Sequence, residues 1–148
     1  MRYGVSRGPD WIETSGSMTI ESCDTMLAGR RILIVEDRYF VADDLRRVLT
    51  RRGAEVVALV ADVEQAKRVA ETDSIELAVL DVDLRGRDVF DVAGILEARG
   101  IPFIFVTGYR QAHLPETYRN KPIVSKPFSE TDLLAKILAA LGPAGTGK

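Results

Sequence analysis

Two reactive residue types are nearly absent from this 148-residue chain, which holds one cysteine and one histidine. A lone Cys23 cannot close an internal disulfide, so a reducing cytoplasm is the simplest home for the protein. His113 has no companion at metal-ligand spacing, which excludes a stapling zinc site and leaves it as a surface loop residue. No apolar run approaches the ~20 residues a membrane helix needs, and the N-terminus lacks the apolar stretch of a secretory signal. Excess charge is missing too. Lys and Arg number 20 against 22 Asp and Glu, a net charge of −2, which argues against a dedicated nucleic-acid binder because phosphate contacts need surplus Lys and Arg. No internal repeat or low-complexity tract is visible. With 46% hydrophobic and 28% charged residues, the composition is that of a globular protein, long enough for one self-sufficient core.

Residues 1–28 carry scattered Gly, Ser and Thr without period and are expected to form a flexible N-terminal tail; Met18 and Met26 are plausible alternative starts, and Trp11 beside Ile12 could dock on the core or a partner. Residues 143–148 read as a loose C-terminal end behind a helix stop at Gly142. Between them the sequence alternates. Wholly apolar runs at 32–35, 77–80 and 103–106 have the character of strands buried on both faces. A β-branched run spans 55–60, and a short fifth strand is expected at 123–125. Helical spacing appears from 41 to 52, behind an Asp62 cap, from about 90 to 99, and behind Ser129, where Asp132 completes a capping pattern. The expected domain is 29–142. Such repeated alternation predicts an α/β fold, a parallel sheet covered by helices on both faces. From Thr107 to Lys121 the period fades around Gly108 and Pro115, so a single helical turn or irregular loop is expected there.

Ligands of open parallel sheets bind beyond the carboxyl ends of the strands, so the residues at those ends matter most. They are Glu36 and Asp37, then Asp81 and Asp83, then Thr107, then Lys126. Each alone is explicable as a turn residue or solvated charge. Their joint placement on one rim is not, since carboxylates about 4 Å apart repel by ~4 kcal/mol at an effective dielectric near 20 unless a cation compensates. Oxygen-only ligands favour Mg²⁺. A cation beside a free carboxylate, a hydroxyl and an ammonium suits phosphoryl transfer to an aspartate.

These motifs, ILIVED with Glu36 and Asp37, VLDVD with Asp81, FVTGY with Thr107 and SKPF with Lys126, resemble in order and spacing the receiver domain of bacterial two-component response regulators. The resemblance implies a doubly wound, five-stranded flavodoxin-like sheet of order 2-1-3-4-5. It also implies Mg²⁺ held by Glu36, Asp37, Asp81 and the backbone carbonyl of Asp83, and phosphorylation of Asp81 by a sensor histidine kinase or histidine phosphotransferase. Thr107 and Lys126 would bind the phosphoryl group, Tyr109 would screen it from water, and Lys126-Pro127 would be cis. FVTGY further resembles stand-alone alphaproteobacterial receivers.

The sequence also departs from the family. Arg85 and Val89 stand where Pro and Gly are usual, the segment before Lys126 is short, and Ile123 replaces the usual aromatic switch residue. Output is expected through an unknown downstream protein, with neither nucleic acid nor membrane as a partner. Two other readings share part of this pattern. A haloacid-dehalogenase-type phosphatase would share Asp81-Val82-Asp83, Thr107 and Lys126, but its acid pair follows the lysine and it needs a cap. A docking module independent of phosphorylation would keep the fold without the chemistry.

Overall fold

Five short strands, at 55–60, 31–35, 77–81, 103–107 and 123–125, lie side by side in that order, all parallel. The computed structural model describes residues 26–84, 87–108 and 114–142. The strands are β1 (Arg31–Val35), β2 (Glu55–Val60), β3 (Leu77–Asp81), β4 (Phe103–Thr107) and β5 (Ile123–Ser125). The helices are α1 (Tyr39–Arg51), α2 (Val63–Thr72), α3 (Phe90–Ala98) and α4 (Glu130–Leu141). This is the expected flavodoxin-like architecture.

Side chains on a strand alternate between faces, and the sheet sorts its residues accordingly. Leu33, Val35, Ala78, Leu80, Phe103 and Phe105 pack with α2 and α3. Ile32, Ile34, Leu77, Val79, Ile104 and Val106 face the other way, into α1 and α4. Every residue of β3 and β4 is buried, which is why these runs have no polar alternation. Asp62 and Ser129 cap their helices as expected, accepting from Gln65 N at 2.8 Å and Asp132 N at 3.0 Å. Gly53, with φ of 94°, takes a backbone conformation that costs other residues strain and turns the chain from α1 into β2.

Four details differ from the sequence reading. α1 begins two residues early, at Tyr39, because the Glu36 carboxylate accepts the Arg38 N–H at 3.2 Å and organises the entry. α3 closes at Ala98 rather than 99. A two-residue antiparallel ribbon, Asp83–Leu84 with Arg87–Asp88, stands between β3 and α3. It is held by burial of Leu84 and by Asp88 Oδ1, which accepts from Phe90 N at 3.1 Å. The tail boundary at residue 28 also shifts, since Leu27 is fully buried and its N–H donates to the Arg52 carbonyl at 2.8 Å.

The weak segment before β5 contains one turn of 3₁₀ helix, Glu116–Tyr118, where Tyr118 stacks on Phe90 and meets Phe103 and Phe105 edge-on. Trp11, Cys23 and both expected tails lie wholly or mostly outside the described residues.

Candidate functional site

The strand order places β1, β3 and β4 at the centre of the sheet, so their carboxyl ends are neighbours. Val35 pairs with Leu80 and Asp81 with Val106. Glu36 therefore emerges level with Asp81, and Thr107 one residue beyond it on the next strand. Thr107 pairs with Ser125, which sets Lys126 at the same rim, and the Lys126 N–H donates to the Thr107 carbonyl at 2.9 Å. The Lys126-Pro127 bond is cis, as expected.

Lys126 Nζ donates to Asp81 Oδ1 at 3.1 Å and to Glu36 Oε2 at 3.2 Å. These partners lie 45 and 90 residues away in the chain. Glu36 and Asp81 are only 1% and 4% exposed, and charges this deep require compensation. One ammonium between two carboxylates leaves a negative surplus. Burial, then the adjacent Glu36 charge, pushes the Asp81 carboxyl up to about 6, with Lys126 opposing. Glu36 Oε2 also accepts from Arg38 N. Glu36 Oε1 is buried and accepts no hydrogen bond, although Lys126 Nζ lies 3.1 Å away.

Glu36, Asp37 and Asp81 each offer a carboxylate oxygen within 4.8 Å of the others. An oxygen-only donor set with surplus negative charge and a buried oxygen lacking a hydrogen bond fits a hard divalent cation. Asp83 follows at two residues' distance, its backbone paired with Asp88 in the ribbon. Thr107 is buried at the rim. The rim thus unites Glu36, Asp37, Asp81 and Lys126, with Thr107 on the adjoining strand end. Arg85, Tyr109 and His113 lie outside the described residues.

Two features of the rim's surroundings have no counterpart among the sequence motifs. Tyr39 and Phe40, at the start of α1, are 74% and 80% exposed and meet edge-on at 5.4 Å between ring centres. Their adjacency carries no signal by itself, because neighbouring apolar positions can share a buried helix stripe, as Val48 and Leu49 do further along α1. The second is a groove of about 320 Å³ between α1 and the segment after β5, with Val41 and Val48 opposite Pro127 and Phe128 and Lys126 at its edge.

A profile for the response regulator receiver domain matches residues 32–138. The solution structure of SdrG from Sphingomonas melonis Fr1 superposes with a TM-score of 0.70 at 35% identity, covering 77% of this chain and 98% of that one. The response regulator PhyR from Brucella abortus gives 0.67 at 27% identity, covering 86% of this chain and 52% of its own. The transcriptional regulatory protein PdtaR of Mycobacterium tuberculosis is 33% identical over 116 residues, 76% of this chain and 57% of PdtaR. The chain spans about half the length of the curated relatives it matches.

Proposed function

The chain belongs to the response regulator receiver family, and on that premise we propose that Asp81 accepts a phosphoryl group from a phosphohistidine of a sensor kinase or phosphotransferase, in a Mg²⁺-dependent step. The observation that carries this reading is the convergence of Lys126 on both Asp81 and Glu36 at 3.1 to 3.2 Å. An ammonium already at the acceptor carboxylate can transfer to an oxygen of the incoming group and offset its charge.

In the proposed step an Asp81 carboxylate oxygen attacks phosphorus in line. The phosphorus–nitrogen bond breaks, its electron pair goes to the donor imidazole, and an acyl phosphate forms on Asp81. Glu36, Asp37, Asp81 and the Asp83 backbone carbonyl would hold Mg²⁺, which supplies charge neutralisation at the phosphoryl oxygens. Lys126 binds one of those oxygens and Thr107 donates its hydroxyl to another. Water later hydrolyses the acyl phosphate, so the protein works as a timed acceptor rather than a turnover enzyme, and its signal passes through protein contacts.

Acetyl phosphate tests this directly, because it bypasses any docking partner. Incubation with acetyl phosphate and Mg²⁺ is expected to add one phosphoryl group by intact mass, mapped to Asp81, and chelation of the metal is expected to prevent it. An unmodified protein, or modification at another residue, rejects the reading.

The exposed Tyr39 and Phe40 stand two and three residues past Asp37, beside the rim, where a protein donor must approach. Buried aromatics dominate binding energy at interfaces. Changing both to Ala is expected to slow transfer from a phosphorylated protein donor about tenfold or more while leaving the acetyl phosphate reaction within about twofold. Equal slowing with both donors would place these rings in the chemistry instead.

A further inference from the structure

Lys126 reaches the acid cluster from a segment fastened at both ends. At its start the Lys126 N–H is bound by the Thr107 carbonyl. At its finish Glu130, the first residue of α4, accepts from Arg51 Nη2 at 3.0 Å and from Arg52 Nη2. Between these points Phe128 packs against the core shared with α1, but a groove of about 320 Å³ lined by Val41, Val48, Pro127 and Phe128 leaves that contact incomplete. Close contact normally fixes the spacing of neighbouring elements. Along this groove, charge at its edge supplements the partial contact.

The Arg51 arm of the bridge is 56% exposed, and the Arg52 arm is the sheltered one. The Arg52 side chain is 19% exposed and that of Glu130 32%. The hydrogen bond from Arg52 holds the Glu130 carboxyl below its ordinary range, so it stays ionised at neutral pH. The other wall of the groove belongs to α1, which starts just after the acid pair and is tied to it by the Arg38–Glu36 hydrogen bond. One rigid helix therefore carries the acids at its entry and, at its exit, the arginines that grip the Lys126 segment.

We propose that Glu130 is a positioning residue: bridged to Arg51 and Arg52, it holds the Lys126 segment at the distance from α1 that lets the ammonium reach Asp81 and Glu36. Its kinetic consequence rests on the phosphoryl-acceptor reading, whereas the placement of the ammonium does not.

The test combines two readouts on the full chain. A buried, ion-paired ammonium exchanges its protons slowly, so Lys126 should give its own side-chain ¹⁵N signal by NMR. Glu130→Ala is expected to broaden that signal or move it to the position of solvated lysines. The same variant should accept phosphoryl from acetyl phosphate with Mg²⁺ about fivefold more slowly, equivalent to about 1 kcal/mol. Exchanging the charges, Glu130→Arg with Arg52→Glu, should restore both readouts to within about twofold, and both readouts are taken where urea denaturation shows every variant fully folded, which removes a general loss of stability as their cause.

A folded Glu130→Ala protein with wild-type signal and rate overturns the proposal, as does a loss that the exchange fails to restore. If Glu130→Ala does not fold, Glu130→Gln takes its place and must weaken the signal. If the wild-type chain accepts no phosphoryl group, the acceptor reading fails, and the Lys126 signal alone still decides the positioning role.

Discussion

Asp81→Asn is expected to abolish phosphorylation and, in metal-free protein, to raise stability at neutral pH. The first effect follows from chemistry, because a carboxamide is not a nucleophile that forms an acyl phosphate; intact mass should show no phosphoryl adduct under conditions that modify wild type. The second follows from the raised Asp81 carboxyl, at about 6 against an ordinary 3.8. Below 3.8 the group is protonated folded or unfolded, and its burial carries no charge penalty. Between 3.8 and about 6 the unfolded state has released a proton that the folded state still holds, so stability falls across that window and the loss is complete above about 6.

A shift of that size corresponds to at most about 3 kcal/mol, and solvent screening at the rim reduces the expected loss to about 1–2 kcal/mol. The variant should lack this loss. Urea denaturation in chelator should therefore give similar stability for the two proteins near pH 4 and a gap favouring Asp81→Asn above pH 6. A gap that is constant with pH would mean Asp81 does not carry the strain assigned to it. Added Mg²⁺ should narrow the gap at pH 7, since binding to the folded wild type stabilises it by mass action.

Lys126→Met is expected to do the reverse to the fold and comparable harm to the chemistry. It leaves Glu36 and Asp81 buried together without their cation, and removing one partner of a buried pair costs about 3–5 kcal/mol. Asp81 can limit that loss by staying protonated, so its carboxyl should titrate well above 6, readable by side-chain carboxyl NMR. Phosphorylation by acetyl phosphate should fall about 100-fold or more, the usual cost of losing a preorganised charge at a transition state. The double variant with Asp81→Asn should regain much of the stability and none of the activity. Retention of wild-type stability by Lys126→Met would show that another group neutralises the acids.

Most of the fold could be read in advance because its signals are local. The runs at β3 and β4 are apolar at every position before their polar ends because both faces are covered, and the Asp62 and Ser129 caps announce their helices within four residues. The features that escaped are those whose cause lies elsewhere in space. The ribbon after Asp81 depends on Leu84 finding a place in the core, and the buried Leu27 depends on α1 ending beside it. The 3₁₀ turn at Glu116–Tyr118 exists because Phe90, Phe103 and Phe105 together make a slot for the Tyr118 ring.

The candidate site divides the same way. Residue types and order alone pointed to Glu36, Asp37, Asp81, Thr107 and Lys126, since strand ends in a parallel sheet must share a rim. Sequence also determined that acids would outnumber the one ammonium among them. Which carboxylate oxygen Lys126 holds, how far burial raises Asp81, and that Glu130 grips Arg51 and Arg52 across an open groove were decided by tertiary structure. Chain periodicity can dictate which edge a side chain leaves from, but distances of 3 Å between residues 45, 79 and 90 positions apart arise only when packed layers fix every backbone at once.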